Sequence, residues 1–206
     1  TLRKEFRITK IVDLSHFETE NRFLESTGSI VFDHGNKTAY ACLSPRTDAG
    51  LFDEVSQTLG YTPISFRAVD AKGRAIYHTN VMMCVATEFA MVGFDLMQDP
   101  VRREEIRARL AESGREIIDL SNEQIGEFAG NALELTGGDG RRFLAMSDRA
   151  VASLRPPQRQ VIEQATQIVP LSVPTIELAG GSVRCMLAGI RWPHSGQTPE
   201  TLPVRS

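Results

Sequence analysis

Ser29, Asn80, Asn131 and Ser182 stand at intervals of 51 residues, each inside a short apolar segment that reads as a strand. The surrounding words are LESTGSIVF (24–32), IYHTNVMMC (76–84), EFAGNALEL (127–135) and AGGSVRCML (179–187), with Gly or Thr before the marker and apolar residues soon after it. A fixed period of this length signals one supersecondary unit used several times, as in solenoids or propellers. Other echoes keep the register: IVDLS (11–15) returns as IIDLS (117–121), and LSPRT (43–47) as MSDRA (146–150).

Each copy reads as an opening strand, a loop, the marker strand, a further strand or hairpin, and an amphipathic helix, an alternating α/β pattern. The first helix is expected from about Asp48 to Leu59, capped by Asp48, with Leu51, Phe52, Val55 and Leu59 on one stripe and Gly60 as its stop. The second begins at Asp99-Pro100, a cap followed by proline at the first helical position, and turns Val101, Ile106 and Leu110 inward before Gly114. The third follows Pro156-Pro157 with Val161, Ile162 and Ala165 inward. Turns are expected at HGN (34–36), AKG (71–73) and GGDG (137–140).

At 206 residues and 41% apolar content the chain can bury a sizeable core. A formal charge of −3 argues against a broad nucleic-acid or anionic-lipid surface, and no apolar run approaches the roughly 18 residues of a membrane span. Small molecules are the expected partners, with room for a homo-oligomer. Three cysteines, Cys42, Cys84 and Cys185, are an odd number without metal-ligand spacing, which points to a reducing, cytoplasmic compartment without disulfides or structural zinc. The chain opens on TLRKEF, without Met and reading as the end of a helix that leads into RITKIVDL, so a preceding segment is expected. The polar, proline-containing residues 196–206 read as a peripheral tail to a single domain over 1–195.

Three residues with catalytic chemistry fall in three different copies of the repeated word. Cys185, in GGSVRCML, follows two glycines that permit close backbone approach and an Arg that favours a thiolate. It reads either as a nucleophile or as a buried strand cysteine, whereas Cys42 and Cys84 lack such neighbours and read as core. His78 opens HTNVMM and is either a hydrogen-bonded structural residue or a general acid and base. Glu25, at the head of an apolar strand, is either solvated or the carboxylate that orients His78. Asn80 and Asn131 offer polar contacts at strand ends, and Arg46 in LSPRTD offers a fork for a substrate carboxylate or a surface ion pair. His16, His34 and His194 read as surface. No metal or organic cofactor is implied.

At these residues the chain resembles the guanidine-modifying, or pentein, superfamily of arginine deiminases, dimethylarginine dimethylaminohydrolases and amidinotransferases. FLESTGS, LSPRTD, YHTNVMM, FAGN and GGSVRCM are similar to its motifs in the order Glu, His, Cys, over about residues 8–190. Among its branches the likeness is to the bacterial amidinotransferase-like, or citrulline-utilisation hydrolase, subgroup. The resemblance implies an α/β propeller of five ββαβ-type modules about a pseudo-fivefold axis, of which four are represented here and the first is expected upstream. It implies that Cys185 attacks the guanidino or ureido carbon, that His78 protonates the departing amine and then activates water, and that Glu25 binds substrate nitrogen or supports His78. Arg46 matches the arginine that grips the amino-acid carboxylate. Where arginine deiminases carry Asp two residues after the His, this chain carries Asn80, and a neutral amide suits a neutral ureido group better than a cation. A citrulline-type substrate giving ornithine, ammonia and carbon dioxide is therefore expected, with an amidinotransferase or a non-catalytic propeller module as alternatives.

Overall fold

A computed structural model describes residues 11–189. The TLRKEF opening, His194 and the 196–206 tail lie outside the described residues.

Nine strands form three separate three-stranded sheets of identical construction, and among the described residues they close no barrel. In the first, β1 (Ile30–Asp33) pairs antiparallel with β2 (Thr38–Cys42), which pairs parallel with β3 (Thr62–Phe66) after helix α1 (Ala49–Thr58). The second repeats this with β4 (Met83–Val85), β5 (Phe89–Val92), helix α2 (Pro100–Glu112) and β6 (Glu116–Asp119). The third has β7 (Leu133–Thr136), β8 (Arg142–Ser147) and β9 (Gln167–Leu171). Between the second and third sheets runs the short helix α3 (Asn122–Gly126), and α4 (Pro156–Ala165) crosses from β8 to β9. Prolines 63 and 170 sit in β3 and β9, each an edge strand, where a missing N–H costs no ladder bond.

The helix boundaries follow from their caps. The Asp48 carboxylate accepts from Leu51 N, and the Asp99 carboxylate from Val101 N and Arg102 N, so both helices start where a side chain satisfies orphan amides. Gly60 and Gly114 follow their ends with positive φ, as expected. Leu51, Phe52, Ile106, Leu110 and Ile162 are buried, but Val101 is 77% exposed. Five residues separate Val101 from Ile106, about 140° around the helix, so the two cannot share a face. Leu59, at the C-cap of α1, is also largely exposed, beyond the end of the buried stripe.

The main correction concerns the marker words themselves. None of the four markers lies in a strand: Ser29 ends a helical turn over Ser26–Ser29, Asn80 lies in a 3₁₀ turn over Thr79–Val81, and Ser182 caps another over Val183–Met186. Asn131 occupies the irregular step before β7. The apolar residues after the first three do form β1, β4 and β7, and a buried polar residue placed one to three positions before an apolar run looks the same in sequence whether it ends a turn or begins a strand. After Ser182 no strand follows among the described residues.

These turns are where the repeats meet. Thr79 Oγ1 donates to Ser29 O at 2.5 Å, Asn131 Nδ2 donates to Asn80 O at 2.9 Å, and Arg184 N donates to Asn131 Oδ1 at 3.1 Å. The 51-residue period thus reappears as hydrogen bonds spanning 50, 51 and 53 residues. Ser29, Asn80, Asn131 and Ser182 are all essentially inaccessible to solvent, and a buried polar group must be paired. The residue before the marker is glycine in three of the words and Thr79 in the second, whose hydroxyl makes the bond to Ser29 O. A Cβ on Gly130 would lie 2.7 Å from Val81 O, so only glycine lets the third turn pack on the backbone of the second.

Around this seam the core is rich in methionine and phenylalanine: Met82, Met83, Met91, Phe89 and Phe94 are fully buried. Strands β4 and β5 are buried almost throughout, consistent with cover on both faces, whereas β9 is exposed at Gln167, Pro170 and Leu171. Two links tie the sheets together away from the seam. Asp33, at the end of β1, takes a bidentate pair from Arg115, just before β6, at 2.8 and 2.9 Å, with both side chains buried. Ser121 and Gln124 form a capping box on α3, Arg155 N donates to Gln158 Oε1 on α4, and the two glutamine amides bond each other at 2.7 and 3.2 Å.

Candidate active site

Because the turns meet at one seam, the chemistry-bearing residues flanking the markers converge. Glu25 precedes the Ser26–Ser29 turn, His78 precedes the Thr79–Val81 turn, and Cys185 lies within the Val183–Met186 turn. His78 Nε2 stands 2.9 Å from Glu25 Oε2. Two residues along, Asn80 Nδ2 lies 3.6 Å from Cys185 Sγ, so the His78–Asn80 segment touches the carboxylate at one end and the thiol at the other.

The His78 ring is held from several sides. It lies on Gly28, where a Cβ would come within 2.4 Å of Nδ1, and tilts against Tyr77 with ring centroids 5.0 Å apart. Burial holds the imidazole below its ordinary pKa, with the nearby Arg46 cation adding to the effect, while the hydrogen bond and charge of Glu25 oppose it. The ring is therefore a neutral base at pH 7 with a carboxylate ready to stabilise its protonated form.

The environments of the three cysteines separate them. Cys42 and Cys84 are fully buried, and burial pushes their thiols up to about 12 and about 11, as expected of inert core residues. Cys185 is exposed, and all three are free. The Tyr77 hydroxyl donates to Gly180 O and fastens the glycine turn of Cys185 to the histidine segment.

Arg46 lies at the mouth of this cluster, 54% exposed, with Nη1 3.6 Å from Glu25 Oε2 and its guanidinium over the Tyr77 ring at 5.2 Å. Its loop is fixed from below: Ser44 Oγ donates to Tyr77 O and accepts from Arg46 N. An exposed guanidinium fork of this kind suits a carboxylate ligand. Asn131 differs from its expected role as a strand-end polar contact, because its amide is directed at protein groups: Oδ1 at Arg184 N, and Nδ2 at Asn80 O and at Cys185 Sγ, 3.2 Å away.

Sequence reasoning missed Tyr77 and Ser44. Tyr77 directly precedes the histidine and Ser44 opens the SPRT run, yet nothing in either residue type announces a bond to a segment 103 or 33 positions away. His16 and His34 are exposed. Two surface clefts flank β9, one lined by Val151, Glu163 and Ile168 and the other by Arg149, Leu171 and Glu177, and neither includes Glu25, His78 or Cys185. Among the described residues no group of three His, Cys, Asp or Glu side chains could hold a metal ion, and no helix is long and apolar enough to cross a membrane.

The family model described as N,N dimethylarginine dimethylhydrolase, eukaryotic, matches residues 1–192. No curated protein sequence matches significantly. Among solved structures, ArgZ, an arginine dihydrolase from the ornithine-ammonia cycle in Cyanobacteria, is 16% identical with a TM-score of 0.61, covering 77% of this chain and 23% of that one. Its N-terminal domain bound to substrate is 17% identical with a TM-score of 0.59, covering 76% of this chain and 53% of that one. AgrE in a ternary complex with ornithine and NAD+ is 15% identical with a TM-score of 0.60, covering 80% of this chain and 23% of that one. The chain therefore spans between a quarter and a half of the solved structures it resembles, and the likeness establishes a shared α/β fold of the pentein type.

Proposed function

The chain belongs to the N,N-dimethylarginine dimethylhydrolase family within the pentein superfamily, and from that premise we propose a cysteine-dependent hydrolase acting on the guanidino or ureido carbon of a small amino acid. The observation that carries the reading is that a carboxylate, Glu25, bonds a neutral imidazole, His78, two residues before Asn80, whose amide reaches the one exposed thiol among the described residues, Cys185.

The Cys185 thiol gives its proton to His78 as its sulfur adds to the substrate carbon, and the π electrons move onto the substrate heteroatom. Collapse expels ammonia or an amine, which takes its proton from His78, and leaves a carbon–sulfur adduct. His78 then removes a proton from water as the water adds to that carbon, and the thiolate departs. With a ureido substrate the released carbamic acid loses carbon dioxide, so that citrulline and water give ornithine, ammonia and carbon dioxide. In this reading Arg46 takes the substrate carboxylate and Asn80 offers its amide to the ureido or guanidino group.

Within this class we favour a citrulline-type substrate. The carboxylate of the cluster, Glu25, is already shared between His78 and Arg46, and Asn80 is neutral, so a cationic guanidinium meets no unshared carboxylate from these residues. A second reading, hydrolysis of an arginine-type guanidine, is supported by the family description and by the arginine dihydrolase likeness. Release of ammonia or amine from citrulline, arginine and dimethylarginine, with citrulline and ornithine both assayed as products and measured side by side on the full-length protein and on Cys185→Ser, decides between them. Faster release from either guanidine overturns the citrulline assignment, and retained activity in Cys185→Ser overturns the mechanism.

The four marker turns are read as hubs of ββαβ units set around a common propeller axis in one catalytic unit over 1–195. An amidino transfer to an amine is the alternative outcome of the same adduct, revealed by a guanidino product when glycine or lysine is supplied. The free thiols suit a reducing, cytoplasmic compartment.

A further inference from the structure

Asn131 has hydrogen-bonding capacity that the proposed chemistry does not yet use. It is 1% exposed and belongs to the third turn, which contributes none of the three catalytic candidates. The direction of its amide is set by Arg184 N, a donor only, 3.1 Å from Oδ1, so the other end must be the NH2 group. One of its hydrogens goes to Asn80 O at 2.9 Å. The other points at Cys185 Sγ at 3.2 Å, with Asn80 Nδ2 a more distant second donor at 3.6 Å.

Resting on the reading of Cys185 as nucleophile, we propose that Asn131 is the hydrogen-bond donor that holds the attacking sulfur and favours its anionic form. A neutral thiol is a weak acceptor and a thiolate a strong one, so this bond strengthens as negative charge gathers on sulfur and again when the thiolate leaves the adduct. The amide is pre-oriented by two backbone groups from two other turns, so it needs no reorganisation at either step. Other charged or titratable groups around the sulfur are engaged elsewhere. Arg184 Nη1 donates to Ala132 O, the Tyr77 hydroxyl to Gly180 O, His78 pairs with Glu25, and Glu177 accepts from Ser182 Oγ. Arg184 adds a buried positive charge beside the thiol, and its Nε finds no partner among the described residues.

Alkylation of Cys185 by iodoacetamide, followed from pH 6 to 10 and read at that residue by peptide mapping, tests the assignment with the full chain. Asn131→Asp keeps the acceptor for Arg184 N and removes the donor, and Asn131→Ala removes both. Loss of a hydrogen bond to a charged group predicts an alkylation rate about tenfold lower at pH 7 in both variants, recovering at alkaline pH. A matching fall in kcat with little change in KM is expected. A rate unchanged at pH 7, or lowered equally at every pH, overturns the proposal, since the second pattern is that of a merely displaced turn. In the unmutated protein the Asn131 side-chain amide resonances should move with pH and cease to do so in Cys185→Ser. Their indifference to Cys185 also overturns it, and this measurement holds even if the variants do not fold. If Cys185→Ser keeps full hydrolytic activity while Asn131→Asp still slows alkylation, the nucleophile assignment fails and the donor assignment stands.

Discussion

Substituting Gly28 by alanine should disable the site without touching a catalytic residue. The backbone there is a helical turn with no positive φ, so alanine meets no backbone strain and on propensity alone would gain about 0.5–1 kcal/mol. The new Cβ, however, would lie 2.4 Å from His78 Nδ1 and 2.9 Å from Cε1 and Cγ, against an ordinary contact of about 3.4 Å, so the ring has to retreat by about 1 Å. Displacement of that size breaks the 2.9 Å contact with Glu25 and takes His78 off line with the adduct. Misplacement by about 1 Å costs on the order of 100-fold in rate. The assay is kcat for ornithine release beside the thermal midpoint, with Gly126→Ala as control, because a Cβ there meets nothing within 4 Å. The expectation is a roughly 100-fold fall in kcat for Gly28→Ala and none for Gly126→Ala. A Gly28→Ala enzyme with kcat within twofold of the unmutated one would show that the ring does not depend on this contact.

Four further outcomes follow from the structure. Breaking the buried Asp33–Arg115 pair by Asp33→Ala strands a guanidinium that also donates to Ala86 O, and urea unfolding should show a loss of about 3–5 kcal/mol, with Arg115→Met similar. The acid limb of kcat/KM should lie below the ordinary histidine value of about 6.5, move lower still in Glu25→Gln, and move higher in Arg46→Gln, since Glu25 raises and Arg46 lowers the His78 pKa. The same depressed pKa means that the unfolded chain binds the extra proton first, so the stability held by neutral His78 is complete above about pH 6.5 and is lost as the pH falls below it, a slope that should flatten in His78→Gln. Native alkylation at pH 8 should modify Cys185 and spare Cys42 and Cys84, whose thiols are pushed up to about 12 and about 11, and labelling of either core thiol would show that the seam opens.

The repeat, the helix starts at Asp48, Asp99 and Pro156, and the singling out of Glu25, His78 and Cys185 rest on local chemistry: a cap, a proline, a residue type at a fixed interval; the structure brings Glu25 to His78 and leaves Cys185 exposed. The nature of the marker words was not legible. The bonds that join one turn to the next cross about a full repeat, and nothing within nine residues of sequence distinguishes a turn that bonds a distant turn from a strand that bonds a neighbour. Tyr77, Ser44 and the donor role of Asn131 were hidden for the same reason, since each acts through a bond spanning 33 residues or more.

The seam bonds that span 50, 51 and 53 residues also bear on synthesis. Each closes a loop of about one repeat, and each can form as soon as the next turn leaves the ribosome, without waiting for the rest of the chain. The order of closure then follows the order of translation: Glu25 first, His78 next, Asn131 after it and Cys185 last. Under the proposed function, the nucleophile Cys185 thus enters a nascent chain in which Glu25, His78 and Asn131 have already been made, so it spends the least time without its partners.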